Sequence, residues 1–348
     1  MRVLCLLWLV ACAKPPPAPA FSWADTPRLP SPSAGTYGRG STAPTDPPMA
    51  ALVAGKRWDA YLSGAAAGLA IKLLDAPSVP GWQVRHQAWR AGYPYPVDTM
   101  SVWRTAAGDS PPHELMDWLG RRTDQEDIGL VRARDPDGDT WVAITGAPRA
   151  ALGVQPRQLA VGATFTLPAV PGATFAIADS RGELRSGALE LPQTFTADIP
   201  GEWLVKVQDA QGVLARFPIY VAITPPTDPI VGVEIPGTPD EQVRGLLDEI
   251  RATHGLPPYT SDLLFESAAR RDLEGNDSSK DELAGRLGWD PERLARWDVR
   301  AGSVAEALDR VIWEPGSRPA LLAQVASYGV AATTDDKGVR VVVFVGFE

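Results

Sequence analysis

The chain has 348 residues, 45% of them hydrophobic, with 33 Lys and Arg against 42 Asp and Glu, for a formal net charge of −9. That length allows two or three ordinary domains. An acidic chain without a basic block argues against nucleic-acid binding, which rests on phosphate neutralisation. One pattern occurs twice: Gly129, Asp135, Gly138 and Gly146 recur two hundred positions later as Gly329, Asp335, Gly338 and Gly346. Each set reads as a strand, a tight turn and a second strand, so internal similarity enters the domain count from the start.

At the N-terminus, Met1-Arg2 precedes Val3–Val10, an apolar run too short to span a bilayer. It ends in Leu9-Val10-Ala11-Cys12, which resembles the lipobox of bacterial lipoproteins. The resemblance implies cleavage before Cys12, acylation of Cys12 and attachment to a membrane outside the cytoplasm. Several acyl chains at roughly 0.8 kcal/mol per buried CH₂ anchor firmly. The competing reading is a secretory signal cut near Ala20. Ala13 lacks the Asp associated with inner-membrane retention, which favours the outer membrane in a Gram-negative host. With Cys5 in residues 1–11 and Cys12 acylated, no thiol is left for a disulfide. Residues 12–48 hold ten prolines in 37 positions and read as a disordered tether, Phe21, Trp23 and Tyr37 included. Such a spacer reaches roughly 100 Å at most.

Residues 49–151 read as an α+β domain. Arg57–Ala67 patterns as a helix, and a hairpin turns at Asp137-Gly138. Asp135–Asp139 is not an EF-type loop, because Gly138 stands fourth and Gly146 twelfth where Gly sixth and Glu twelfth are needed. His86 reads first as a structural histidine. His113 and Glu114 open a helix containing Leu115, Met116 and Leu119, with Glu114 favoured by the macrodipole. Asp117 breaks the His-Glu-x-x-His pattern. Residues 155–224 alternate in short runs, Phe165–Leu167, Thr174–Ile177, Ala188–Leu191, Trp203–Val207 and Phe217–Val221, between Gly-containing turns. That spacing predicts a small all-β sandwich of immunoglobulin-like shape. Residues 225–237 form a Pro-rich linker.

Residues 238–348 open with Thr238 as N-cap, Pro239 at the first helical position and Glu241 three after the cap. Val243, Leu246, Leu247 and Ile250 make one apolar face up to Gly255. A second helix follows from about Ser261, with Leu264, Phe265, Ala268 and Ala269 facing inward. Asp290-Pro291-Glu292 starts a short third, and Ser303 with Glu306 caps another. Two strands close the chain, Val339–Val345 being a buried central one. This order resembles the CAP superfamily, also called SCP domains, in its bacterial form. The resemblance rests on Leu246–Pro258, Asp262–Arg270, Ala301-Gly302-Ser303, Pro315–Arg318 with Ala320–Leu322, and Tyr328–Ala331. It implies an α-β-α sandwich. Arg90–Pro94 parallels Arg286–Asp290, so residues 49–151 read as a divergent copy.

The departures from the family bear on function. Trp297 or Asp298 stands where the resemblance implies a cavity Glu, and Ser317 where it implies a histidine, while Arg318 is retained. Residues 271–290 lack the other implied histidine. His86, Glu114, Trp297, Asp298, Ser317 and Arg318 are thus a vestigial cavity, with no metal and no cofactor expected, since Ser does not replace imidazole as a zinc ligand. No Gly-x-Ser-x-Gly, P-loop or Ser-x-x-Lys occurs, and three histidines make a Ser-His-Asp triad implausible. The leading expectation is a non-catalytic envelope lipoprotein whose CAP-like domains bind an envelope protein, cell-wall or lipid ligand, or serve structurally. The alternatives are a lipid or small-molecule carrier with an apolar groove, and a cell-wall or protein hydrolase using His86 and Glu114.

Overall fold

A computed structural model describes residues 36–40, 43–44, 47–76, 78–106, 111–135, 138–226, 230–232, 234–275 and 280–347. Cys12, Phe21, Trp23 and the Asp137 turn position lie outside them. Helices and several sheets alternate through the chain, an α+β organisation.

The first part runs β1 (Thr36–Tyr37), α1 (Pro47–Leu52), β2 (Arg57–Trp58), α2 (Ala60–Asp75), α3 (Gly81–Ala91), β3 (Val97–Thr105), α4 (His113–Gly120), β4 (Asp127–Asp135) and β5 (Gly138–Gly146). Its sheet has the order β2-β4-β5-β3, with β2 parallel to β4 and the other pairs antiparallel. Alternation along the strands sends Val131, Ala133, Val142 and Ile144 into the core under α2 and α3. Ile128, Leu130, Trp141 and Ala143 go to the other face, with Leu115 and Trp118 of α4 and Met49 of α1.

The middle part is all-β: β6 (Gln155–Pro156), β7 (Gln158–Leu159), β8 (Thr164–Leu167), β9 (Thr174–Ala178), β10 (Leu184–Ala188), β11 (Gln193–Thr196), β12 (Gly201–Asp209) and β13 (Gly212–Val221). A sheet ordered β10-β9-β12-β13-β7 accompanies the pair β11-β8, joined by the rings of Phe165, Phe195 and Phe175, with centroids 5.3 and 5.1 Å apart. The strand expected at Ala188–Leu191 is displaced. Leu189 instead donates to Ala173 and accepts from Val170, both through backbone, where the chain crosses between sheets. Its full burial gives it the sequence signature of a strand residue.

The last part runs α5 (Pro239–Thr253), β14 (Thr260–Ser261), α6 (Leu263–Leu273), α7 (Lys280–Leu287), β15 (Leu294–Ala301), α8 (Val304–Ile312), α9 (Arg318–Leu321), β16 (Ala326–Asp335) and β17 (Gly338–Phe347). The expected capping box of Thr238 and Glu241 is formed. Ser303 caps α8, but the Glu306 carboxylate reaches back to the Gly302 N–H instead of closing a box on Ser303. Leu264 is half-exposed, not inward, because the Asp262 cap starts the helix with that position turned outward. The expected third helix at Asp290–Glu292 is one 3₁₀ turn leading into β15. The sheet order β14-β16-β17-β15 places β17 centrally, as its apolar run requires.

This last sheet repeats the first strand for strand: a two-residue strand parallel to the hairpin at one end, and a long antiparallel edge strand at the other. Asp59 and Asp262 each cap the helix that follows the short strand, and each donates its own N–H to a β-strand carbonyl, of Ile128 and Tyr328 respectively. Gly92 and Gly288 turn the chain with φ of 105° and 70°, so that Tyr93 and Trp289 close back on Ala88 and Ala284. Gly129 and Gly329 lie flush against the capped helices: a Cβ on either would come closer than 3.0 Å to helix backbone, at Leu62 and at Phe265 respectively.

The parts are not strung on loose linkers. One buried cluster runs through all three, and Trp89 of α3 meets Trp313, just after α8, edge-on with centroids 4.7 Å apart. Arg85 pairs with buried Asp309, and the Arg216 N–H donates to the Pro94 carbonyl at 3.0 Å. Within the 225–237 segment, Val231 is buried in the same cluster. The tether reading through residue 48 is likewise too long. Tyr37 is 1% exposed against Phe217, Arg39 pairs with Asp127, and α1 begins at Pro47.

Candidate functional site

Trp297, Asp298 and Ser317 do come together, in a cleft of about 950 Å³ between β15, α8 and β10 of the sandwich. Successive β15 residues alternate, so Trp297 turns toward α8 and packs in the central cluster, 8% exposed. Asp298 turns the other way. Its carboxylate accepts from Arg340 Nε and Nη2 at 3.0 and 2.8 Å and from Arg296 Nη2 at 3.0 Å. The Arg340 hydrogen bond leads the causes that hold this carboxyl below the ordinary range. It stays ionised at neutral pH and is a poor general acid. Ser317 is buried in the turn after α8, with its N–H donating to the Glu314 carbonyl at 2.9 Å.

Arg318 does not line this cleft. Fully buried, it donates from Nε to the Ile312 carbonyl at 3.1 Å and from Nη2 to Glu202 of β12 at 2.7 Å, with its guanidinium 5.8 Å from the Trp313 ring centre. Nor do His86 and Glu114 meet. His86 is buried on α3, whereas Glu114 is exposed on α4, across the first sheet. His113 is exposed beside Asp117, 3.3 Å away.

Two groups of charges were not legible in the sequence. Glu314 accepts from Lys206 at 2.8 and 2.9 Å and from Arg216 at 2.9 Å, tying the sandwich to the last part. In the first part, buried Asp127 accepts from Arg39, Arg57 and the Tyr93 hydroxyl. Asp59 beside it accepts the N–H groups of Gly40, Tyr61 and Leu62 at 2.8 to 3.0 Å. Partners separated by 19 to 108 positions leave no local signal; only the capping role of Asp59 has one, an acid just before an apolar helix.

Burial, helped by the charge of Asp127, brings Asp59 up to about 6 against the backbone N–H groups of Leu62, Gly40 and Tyr61, which pull it down. The folded chain therefore keeps a proton that the unfolded chain releases. The cost of ionising Asp59 is present above about pH 6 and disappears as pH falls toward the ordinary carboxylate value. Asp59→Asn, which keeps a capping oxygen, is expected to flatten the rise in thermal midpoint that the wild type shows between pH 7 and pH 5. Equal slopes in the two proteins would refute the assignment.

The fold is thus α+β, with helices packed on two four-stranded sheets and a sandwich between them. No family model and no curated protein matches the chain. Among solved structures it is similar to an extracellular protein containing a SCP domain from Bacillus anthracis str. Ames, at 13% identity, covering 54% of this chain and 68% of that one, with a TM-score of 0.25. A likeness of that size carries no argument about activity. No helix among the described residues is long and apolar enough to cross a membrane.

Proposed function

We propose that the chain is a lipid-anchored, extracytoplasmic envelope protein, held by acylated Cys12, whose two CAP-like units are binding or structural modules and not catalysts. The observation that supports this most is the use made of the vestigial cavity. Arg318 is spent on Glu202 and the Ile312 carbonyl, Asp298 is held between two arginines, and His86 and Glu114 occupy opposite sides of their sheet. These contacts give the side chains work in the fold and leave them badly placed for proton transfer.

Anchoring is tested by metabolic labelling with an alkyne-bearing palmitate. The wild type is expected to take up label and sediment with membranes, and Cys12→Ser to do neither. A labelled, sedimenting Cys12→Ser protein would remove the anchor. The module reading predicts that deleting residues 238–348 abolishes any envelope binding or integrity phenotype the full chain supports beyond the membrane attachment given by Cys12. An unchanged phenotype counts against it.

A further inference from the structure

The first part meets the sandwich at a second cleft, of about 400 Å³, which none of the vestigial-cavity residues lines. Its walls are α3, residues 94–96, β3 and β13. Gly92 turns the chain out of α3 with φ of 105°, so residues 94–96 fold back toward the helix. The Arg216 N–H, on the Pro94 carbonyl at 3.0 Å, pins β13 to this turn. Val84, Trp89, Tyr95, Val97, Met100 and Val213 give the cleft its apolar surface, and Trp89 is held in place by Trp313. Apolar walls around a few polar groups, enclosing a few hundred Å³, are the make-up of small-molecule sites.

The polar groups here are chiefly two guanidiniums. Arg85 stands one turn before Trp89 on the same side of α3, 6.0 Å from that ring's centre, and Arg216 reaches in from β13. Each spends Nη2 on a carboxylate: Arg85 on Asp309, Arg216 on Glu314, which also takes Lys206. Among the described residues the buried Nε of each has no hydrogen-bond partner, and the Nη1 groups are left to the cleft. Burial, then the charges of Arg216 and Arg310, bring the Arg85 guanidinium down to about 10 against the pull of Glu306. Two like charges thus share a partly desolvated opening, both ionised at neutral pH, with donors to spare. The local balance is uneven. Arg85, Arg216 and Lys206 meet only Asp309 and Glu314, while Arg310 and Glu306 cancel each other. One positive charge is left over. Asp98 also lines the cleft, exposed and outside any ion pair among the described residues, and its charge weighs against a doubly negative ligand.

We infer that this cleft binds a small monocarboxylate with an apolar body, the carboxylate set between Arg85 and Arg216 and the body lying on Trp89, Tyr95 and Met100. A carboxylate accepts on both oxygens, so it takes a donor from each guanidinium and offsets their mutual repulsion. A phosphate dianion would exceed the single unmatched charge and would meet Asp98 as well. The apolar walls reward a ring or a branched chain behind the acid group, which is where specificity beyond charge would come from. The inference goes beyond the reading of the CAP-like units as modules. Its site lies where the first of them meets the sandwich, and it depends neither on Cys12 nor on the vestigial cavity.

The test offers the full chain carrying Cys12→Ser three probes: hydrocinnamate, its uncharged amide and phenyl phosphate. Titration calorimetry is expected to show saturable binding of hydrocinnamate, with the amide weaker by about tenfold or more because the charge-assisted bonds are lost. In NMR spectra the side-chain Nε–H signals of Arg85 and Arg216 should move as the acid is added. Arg216→Gln leaves Glu314 its Lys206 partner and should weaken the acid by about tenfold while the amide, already weak, stays as it was. That split separates lost recognition from a damaged fold. Equal affinity for acid and amide, saturable binding with both arginine signals unmoved, tighter binding of phenyl phosphate, or no binding of the acid at about 10 mM would each overturn the inference.

Discussion

Gly329→Ala is expected to destabilise the protein by on the order of 3–5 kcal/mol, and Gly129→Ala by a similar amount. A side chain at either position has nowhere to go. The hairpin strand lies directly on the helix that follows the short parallel strand, and the first atoms a Cβ meets are backbone: Phe265 and Glu266 in one case, Leu62 in the other. Helix backbone cannot swing aside like a flexible side chain, so the helix must lift from the sheet. In the last part that opens the packing of Phe265, Ala268 and Ala269 on Ala331, Val342 and Phe344. Chemical denaturation checks this, through a lower midpoint at unchanged slope. Gly285→Ala, inside α7 with open space around it, serves as the control and is expected to stabilise by about 0.5–1 kcal/mol. Because one buried cluster joins the parts, Gly129→Ala and Gly329→Ala are expected to move the same transition. A Gly329→Ala protein within about 1 kcal/mol of wild type would contradict the close approach.

These glycines also explain why the repeat was legible in the sequence while much of its architecture was not. Gly129, Gly138 and Gly146 match Gly329, Gly338 and Gly346 because each is fixed by backbone geometry or close contact, which tolerate no substitute. The residues around them are fixed only by being apolar, and Leu62 opposite Gly129 corresponds to Phe265 opposite Gly329. The edge strands had no such marker. Both end one side of their sheets; in β15 the alternate charges Arg296, Asp298 and Arg300 interrupt any apolar run, and in β3 Asp98, Thr99, Ser101 and Arg104 do the same. Helix α7 was missed for a similar reason, since it buries only Leu283 and Ala284 between charged residues. Tyr37 was hidden differently: the burial that removes it from the tether is supplied by Phe217 and Arg157, far along the chain.

The candidate site divides along the same line. The resemblance drew attention to Trp297, Asp298, Ser317 and Arg318, and the first three line one cleft. The fourth lies behind it, with a role that only the sandwich supplies. No local pattern announces that an arginine after Ser317 will find a glutamate in β12, more than a hundred positions earlier.

Arg318→Ala is therefore expected to cost about 3–5 kcal/mol, the range for removing one member of a buried ion pair. The loss has several sources. Glu202, its side chain 14% exposed, would keep its charge without the 2.7 Å partner. The Ile312 carbonyl would lose the Nε donor, and the Trp313 ring a neighbouring cation. Arg318→Lys does not rescue, because an ammonium cannot donate to Ile312 and Glu202 with the fork of a guanidinium. Glu202→Ala alone is costly too, since it strands a fully buried guanidinium. The double variant removes both charges, so its cost should fall short of the sum by about 1–3 kcal/mol in a denaturation cycle. Additive costs would mean that the pair does not couple the sandwich to the last part. A large coupling makes Arg318 a bolt between the sandwich and the last part, which accounts for the full burial of its guanidinium.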